Sequence, residues 1–391
     1  MFEIKSKRPA STREDNRLST RGGENGRVGI IKLKNGEIKT PFFMPDATRG
    51  FVRSIDNEIL DKKIGLEAIL INTYHLYLNP GMKIIKEAGD AHKFMNWPLP
   101  LLSDSGGYQV FSLIHKNPKL GKITDEEVIF RSPADGSKHI LTPEKSIQIQ
   151  FNLGVDMMVC LDDPPPNDYS REKIASAVER TISWAKRCKV EYEKQIKKRK
   201  ISNEDRPLIF GVIQGGEYLD LRKHCTEELV KIGFDGYGFG ARHIDAEGKI
   251  MEEVVRETAG FIPENSLRFA LGVGTPEDIV KCFSYGWDMF DCVIPTREGR
   301  HGRLFLRKSN FQFSIFNFQK NTFYETININ NGKFKDDFSP ISENCDCELC
   351  AHHTRAYLHH LFSSKEPLGM RLASIHNLKF YADLMGALRE N

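Results

Sequence analysis

Met289-Phe290-Asp291-Cys292-Val293-Ile294-Pro295-Thr296-Arg297 is an apolar run that carries one carboxylate and ends in a proline and an arginine. The stretch Met289–Ile294 lacks the in/out alternation of a half-exposed strand, so it reads as a parallel strand covered on both faces. A buried carboxylate with arginines just after it is where a nucleophile for a phosphate-bearing substrate would sit. Seven more runs have the same character: Pro41–Asp46, Leu66–Thr73, Leu101–Ser105, Val155–Asp162, Leu208–Gln214, Gly236–Gly240 and Phe269–Gly274. Helical periodicity fills the gaps, as in Thr142–Leu153, Ser170–Gln195 and Pro276–Tyr285, with Thr142, Ser170 and Thr275 as N-caps. Eight strands alternating with helices predict an α/β fold of the (β/α)8 TIM barrel type.

The polar residues gather where these runs end. Asp46, Asn72-Thr73-Tyr74-His75, Asp104-Ser105-Gly106-Gly107-Tyr108, Asp162-Asp163, Gln214-Gly215-Gly216 and Asp291 all stand at C-terminal ends. A barrel brings those ends to one mouth, where active sites lie. A Gly-rich strand end can be only a turn, but six such ends together are poorly explained that way. Asn72 reads as a support for the site and His75 as a satisfied core histidine.

The 391 residues are 40% hydrophobic and 28% charged, a globular composition with ample length for a large core. The net charge of +3 permits a nucleic-acid partner without implying one. The first 25 residues are polar and lack the apolar stretch of a secretory signal. No window approaches the ~18 apolar residues of a membrane span. Five cysteines (Cys160, Cys188, Cys225, Cys282 and Cys292) are scattered in apolar contexts and read as reduced core residues. A cytoplasmic protein without disulfides is expected. The basic run Lys194–Lys200 reads as a surface loop.

From Arg297 the pattern changes. Phe311, Phe313, Phe316, Phe318 and Asn328–Asn331 suggest hairpin strands up to about Asp337. Cys345-Asp346-Cys347-Glu348-Leu349-Cys350 follows, and three thiolates at that spacing reach one ion from a tight turn. Zinc takes four tetrahedral ligands, so a closed structural Cys3His site is expected. By spacing alone the fourth ligand is open among His352, His353, His359, His360 and His376, with His359 and His360 on an amphipathic helix over Tyr357–Phe362. The domain reading is a barrel core over 1–296, a zinc-binding insert over 297–376, and a closing C-terminal helix over 377–391.

These segments resemble the tRNA-guanine transglycosylases, the queuine tRNA-ribosyltransferases. The likeness runs from Gly36-Glu37-Ile38-Lys39-Thr40-Pro41 to Ile375-His376-Asn377-Leu378. It is most specific in Ser103–Phe111, Gly211–Gly216, Asp288–Arg300 and the cysteine knuckle. The resemblance implies a TIM barrel with a zinc insert, and it selects His376 to join Cys345, Cys347 and Cys350. It implies exchange of guanine at the wobble position of a tRNA with a GUN anticodon for a 7-deazaguanine, 7-aminomethyl-7-deazaguanine being favoured. Retention at one sugar carbon calls for two displacements by one carboxylate. Asp291 matches the nucleophile and Asp104 the acid/base. Asp162 would bind the Watson–Crick edge of the base. Gln214, with amides near Gly215, Gly216, Gly240 and Ala241, would read its carbonyl. Tyr108 would stack, Ser105 and Leu271 would line the pocket, and Arg297, Arg300 and Arg303 would hold the tRNA.

Departures from the family pattern fall around the 7-position. Gly240-Ala241-Arg242-His243-Ile244-Asp245 replaces the usual Gly-Gly-Leu-Ala-Val-Gly, Asp163-Pro164 replaces Glu-Cys, Leu271 replaces methionine, and Asp46 stands where valine is common. Arg242 and His243, if they face the pocket, would favour a neutral or anionic substituent. Competing readings are a relative acting on DNA, a non-catalytic tRNA-binding subunit, and a zinc hydrolase. Asp104 and Asp291 together argue against the second, and the absence of an open His-rich site argues against the third. The resemblance is to the bacterial type, whose members are usually homodimers.

Overall fold

The computed structural model describes residues 1–7, 26–166, 168–308 and 323–390. All eight expected strands form: β1 (Phe42–Pro45), β2 (Ile69–Ile71), β3 (Leu101–Ser103), β4 (Met157–Val159), β5 (Leu208–Ile213), β6 (Gly236–Phe239), β7 (Leu267–Ala270) and β8 (Met289–Cys292). They make one sheet in the order β1-β8-β7-β6-β5-β4-β3-β2, and all seven neighbouring pairs are parallel. A parallel bridge between Asp46 and Leu70, with Ala47 N donating to Leu70 O at 2.7 Å, brings its two edges together.

Alternation sorts the side chains. Phe42, Met44, Leu70, Leu102, Met157, Val159, Phe210, Val212, Phe269 and Met289 share the inner core. Their neighbours Phe43, Ile69, Ile71, Leu101, Met158, Ile209, Ala270 and Phe290 belong to the outer one, under the helices. An N-terminal antiparallel sheet (Phe2–Lys7, Arg27–Leu33 and Gly36–Thr40) adds Ile31 and Ile38 to the inner core. Arg27 Nε donates to Asp288 Oδ1 at 3.0 Å, and Asp288 Oδ2 accepts the Arg268 amide at 2.8 Å. That buried pair ties the sheet to the start of β8.

The helices used below are α1 (Gly107–Lys116), α2 (Pro143–Leu153), α3 (Arg171–Arg199), α4 (Leu219–Ile232), α5 (Glu252–Phe261), α6 (Pro276–Ser284), α7 (Ile294–Arg300), α8 (Glu348–His352), α9 (Arg355–Ser363) and α10 (Pro367–Glu390). Thr142 and Thr275 cap α2 and α6 through Lys145 N at 3.1 Å and Asp278 N at 3.3 Å. Ser170 makes no side-chain cap bond to α3. The basic run Lys194–Lys200 is not a loop: α3 continues to Arg199, because Gln195 and Glu191 stay buried against the core side.

Beyond the barrel, strands Arg303–Arg307 and Tyr324–Asn328 pair antiparallel as expected for a hairpin. Phe311, Phe313, Phe316 and Phe318 lie outside the described residues. The helix α10 runs unbroken through the junction expected at 376/377. Its Ser374 backbone crosses Gly299 of α7 so closely that a Cβ on Gly299 would lie 2.8 Å from it. No helix among the described residues is long and apolar enough to cross a membrane.

Candidate active site

At the C-terminal ends of the strands the inward alternation continues past the apolar core. Positions 46, 72, 104, 240, 271 and 291 extend the inner rows and line one cavity of about 600 Å³. Asp162, Ser105, Tyr108, Ala241 and Arg297 complete the expected wall. Tyr108 stands on the first turn of α1 with 60% of its surface exposed, a free aromatic face above the cavity. Ser105 is buried, and its hydroxyl accepts the Gly107 amide at 3.2 Å.

Asp104 is held by four donors. The Thr73 and Gly106 amides reach Oδ1 at 3.0 Å, the Gln109 side-chain amide reaches Oδ2 at 3.2 Å, and the Asn72 side-chain amide also bonds Oδ2. Gly106 can present its amide because it sits at φ +78 with Tyr74 N only 2.9 Å from where a Cβ would be. Burial still pushes the Asp104 carboxyl up to about 7, and Asp46 adds to the rise. Asp291 has one donor among the described residues, the Gly272 amide at 2.9 Å from Oδ1. Burial lifts it to about 7 as well, with Asp46 and Asp104 adding. Asp162 stands at about 7 for the same first reason, opposed by a bond from Gln214. Three carboxyls near neutrality in one cavity can hold or release protons at physiological pH.

Gln214 is fully buried behind Asp162, and a Cβ on Gly240 would fall 2.4 Å from its Nε2. Its Nε2 donates to Asp162 Oδ2 at 2.7 Å, while Oε1 has no partner. Gln214, Gly215 and Gly216 therefore stand behind the cavity wall rather than in it. As oriented, Gln214 offers an acceptor, so reading a base carbonyl requires its amide to turn over. Arg222 of α4, fully buried, clasps this region: it donates to the carbonyls of Gly216 at 2.6 Å, Ile213 at 3.3 Å and Gly240 at 3.2 Å, and lies 3.8 Å over the Phe239 ring.

At the mouth, Arg53, Arg297 and Arg300 gather. Burial first, then Arg53 and Arg297, lower the pKa of Arg300. Arg303 lies on the strand Arg303–Arg307, 3.8 Å from Glu298. His243 lines the cavity with Asp278 near it, and burial lowers its pKa. His75 is not part of the cavity wall; its ring packs edge-on against Tyr74 at 5.1 Å.

Cys345, Cys347, Cys350 and His376 come together as a metal-binding group, their ligand atoms all within 4.8 Å of one another. His376 Nδ1 lies 3.7, 3.5 and 3.3 Å from the three sulfurs. A tetrahedral zinc with bonds of about 2.3 Å to sulfur and about 2.0 Å to nitrogen requires such separations of roughly 3.5 Å. Nε2 of His376 donates to the Phe305 carbonyl at 2.8 Å, so that nitrogen carries the ring proton and Nδ1 is left for the metal. His359 is turned away, with Nδ1 2.7 Å from Ile329 O.

Three contributors escaped the sequence reading. Gln109 lies within Ser103–Phe111, but nothing in the sequence marks its amide as a partner of Asp104. Asp278 sits in the first turn of α6, where an acid is ordinary. Arg222 left no local signal, because its partners are backbone carbonyls distant in sequence.

A sequence model of the family described as queuine tRNA-ribosyltransferase matches residues 22–391. Queuine tRNA-ribosyltransferase of Halothermothrix orenii is 44% identical over 369 residues, covering 93% of this chain and 91% of that protein. That of Thermoanaerobacter pseudethanolicus is 43% identical, covering 94% and 90%, and that of Staphylococcus aureus strain JH9 is 41% identical, covering 98% and 92%. The chain belongs to the queuine tRNA-ribosyltransferase family, an enzyme family of tRNA-guanine transglycosylases.

The raised Asp291 pKa sets a pH dependence of stability. A carboxyl that titrates at about 7 when folded binds more protons than its unfolded form, so its ionisation destabilises the fold as pH rises toward 7. Asp291→Asn removes that cost. Its melting temperature should exceed the wild type's at pH 8.5 by the equivalent of roughly 1–2 kcal/mol, discounted because the group opens onto a wet cavity, and by much less at pH 4.5. Equal shifts at both pH values would contradict this electrostatics. For the metal group, Cys347→Ala and His376→Ala should each lower bound metal and thermal stability together. Full metal content in His376→Ala, measured by elemental analysis, would move the fourth ligand elsewhere.

Proposed function

We propose that the protein exchanges guanine at the wobble position of tRNAs with a GUN anticodon for a 7-deazaguanine, by two displacements at the ribose C1′. The observation that carries this reading is the placement of Asp291, on β8, and Asp104, just after β3, in the wall of one cavity, with different hydrogen-bond support. Asp291, with one donor, keeps its remaining lone pairs for bond formation. It attacks C1′ as carboxylate, and the C1′–N9 bond breaks. Asp104, fixed by four donors, gives a proton to the departing purine and later takes one from the incoming base. The N9 of that base then attacks C1′ and releases Asp291, so configuration is retained.

The base sits with its Watson–Crick edge on Asp162. Gln214, from behind, donates to Asp162 Oδ2 and so orients the carboxylate that accepts from the N–H groups of guanine. Tyr108 stacks on the ring, which must first leave the anticodon-loop stack. Ser105, Gly240, Ala241 and Leu271 shape the pocket, and the loop of Gly215 and Gly216 supports it from behind. Arg297 and Arg300 hold phosphates at the mouth, with Arg303 extending the strip. Cys345, Cys347, Cys350 and His376 hold one zinc ion. Its part is structural: it fixes the insert against α10. A cytoplasmic location belongs to the same reading, consistent with eight cysteines of which none is in a disulfide.

The physiological base in this reading is 7-aminomethyl-7-deazaguanine. Arg242 and His243 both line the cavity, which disfavours a cation. Asp278 lines it too, next to His243, and offers an ammonium a carboxylate partner. Asp278→Asn should therefore lower the preference for the aminomethyl base over the uncharged 7-cyano analogue by several-fold, measured by competition against labelled guanine. An unchanged ratio would place the 7-substituent elsewhere.

Wild-type protein should incorporate radiolabelled guanine into unmodified tRNA and form a tRNA adduct that survives a denaturing gel. Asp291→Asn should bind tRNA, form no adduct and lose exchange by at least about a thousandfold, since an amide is a poor nucleophile. An adduct of undiminished yield in the variant would move the nucleophile to another residue.

A further inference from the structure

Asp46 is the carboxylate that the proposed mechanism leaves unused. It follows β1, continues the inner row of Phe42 and Met44, and lines the same cavity as Asp104 and Asp291. Its backbone forms the bridge to Leu70 that joins the sheet edges, so its position is fixed by the barrel rather than by a mobile loop. One carboxylate oxygen, Oδ1, accepts the Thr48 hydroxyl, which is its one hydrogen bond among the described residues. Its charge is felt by Asp104, Asp291 and Arg300 alike. Asp46 thus shares one cavity wall with both carboxyls and with Arg297, near enough for its charge to act on Arg300 as well.

A third carboxylate here is costly by itself. It raises the pKa of both neighbours, and like charges crowded into a cavity repel. A hydroxyl donor from the substrate would offset that cost. The substrate's own geometry supplies one: with the base toward Asp162, C1′ at Asp291 and phosphates at Arg300, the sugar occupies the space between, and its 2′-hydroxyl is one carbon from C1′. We propose that Asp46 accepts a hydrogen bond from the 2′-hydroxyl of the target ribose and makes the enzyme select RNA over DNA. Hydrogen bonds to the hydroxyl next to the reacting carbon strengthen as positive charge develops on the sugar. The 2′-hydroxyl is also the group by which a protein separates the two nucleic acids. This inference rests on the proposed base exchange, and it assigns Asp46 as a specificity-determining residue, apart from the proton and bond transfers.

The test compares guanine exchange into an anticodon stem–loop RNA with exchange into the same RNA carrying a single 2′-deoxyguanosine at the target position. Wild type should favour the ribose form by about 10- to 100-fold in kcat/KM, the worth of one hydrogen bond to an ionised acceptor. In Asp46→Val and Asp46→Ala that ratio should fall to within a few-fold of one. Asp46→Asn keeps an acceptor and should retain part of it. Melting curves identify whichever variant is folded well enough to be read. A ratio unchanged in the folded valine or alanine variant overturns the role of Asp46, as does a wild type indifferent to the deoxy substitution. No exchange by wild type into either RNA would instead defeat the proposed function, so the two failures are distinguishable.

Discussion

Every second side chain of the eight parallel strands must enter the barrel, and the space there is finite. Below, Phe42, Met44, Phe210, Phe269 and Met289 fill it with apolar atoms. Above, the same rows continue as Asp46, Asn72, Asp104, Gly240, Leu271 and Asp291. Where each row changes from apolar to polar fixes the depth of the cavity. A one-residue slip in β8 would turn Asp291 outward and Phe290 inward. The chemistry is therefore placed by register, and register is held by the hydrophobic filling beneath it and by the Arg27–Asp288 pair at its base.

The placement works against the charges it positions. Asp104, Asp162 and Asp291 are each raised to about 7, in every case first by burial. Their surroundings separate them. Asp104 has four donors arranged by a helix start at Gly106 and by Asn72. Asp162 has the Gln214 amide, and Asp291 has the single Gly272 amide. Donors lower a carboxyl pKa and occupy its lone pairs, so unequal donor sets give similar groups different chemistry. Arg222 acts one layer further back. Among the described residues it bonds no carboxylate, and its donors go to the carbonyls of Ile213, Gly216 and Gly240. Those bonds fix which way the peptides beside Gln214 and Ala241 face.

Much of this is legible in the sequence. The eight strands were readable because each is a short apolar run closed by Gly or a polar residue, and their polar ends were readable as one mouth because a parallel barrel leaves no other arrangement. The cysteine knuckle was readable from spacing. His376 was not: it lies 26 residues beyond Cys350, inside a helix, and needed the resemblance to be chosen over four nearer histidines. Gln214 was readable as a site residue but not as an acceptor, because the orientation of its amide depends on Asp162, 52 residues away. The basic stretch Lys194–Lys200 misled for the opposite reason. Its charges are local, whereas the buried faces of Glu191 and Gln195 that extend α3 are a tertiary effect.

The metal group gains its meaning from what its helix touches. The helix α10 carries His376 and, one residue on, Asn377, whose side chain donates to Pro295 O and Arg303 O at 2.9 Å and accepts from Phe305 N at 3.1 Å. Pro295 opens α7, directly after β8, and Gly299 of α7 admits the α10 backbone with no side chain between them. The knuckle, α10 and the segment bearing Arg297 and Arg300 are therefore one packed unit, joined to the strand that carries Asp291. On the other flank, Tyr381 of α10 donates to Gly274 O at 2.6 Å, in the loop that holds the Asp291 oxygen through Gly272. A metal that closes the knuckle on His376 thus fixes α10, and α10 contacts both sides of the strand end that bears Asp291. Stapling here constrains the strand end where the Asp291 carboxylate has one donor among the described residues.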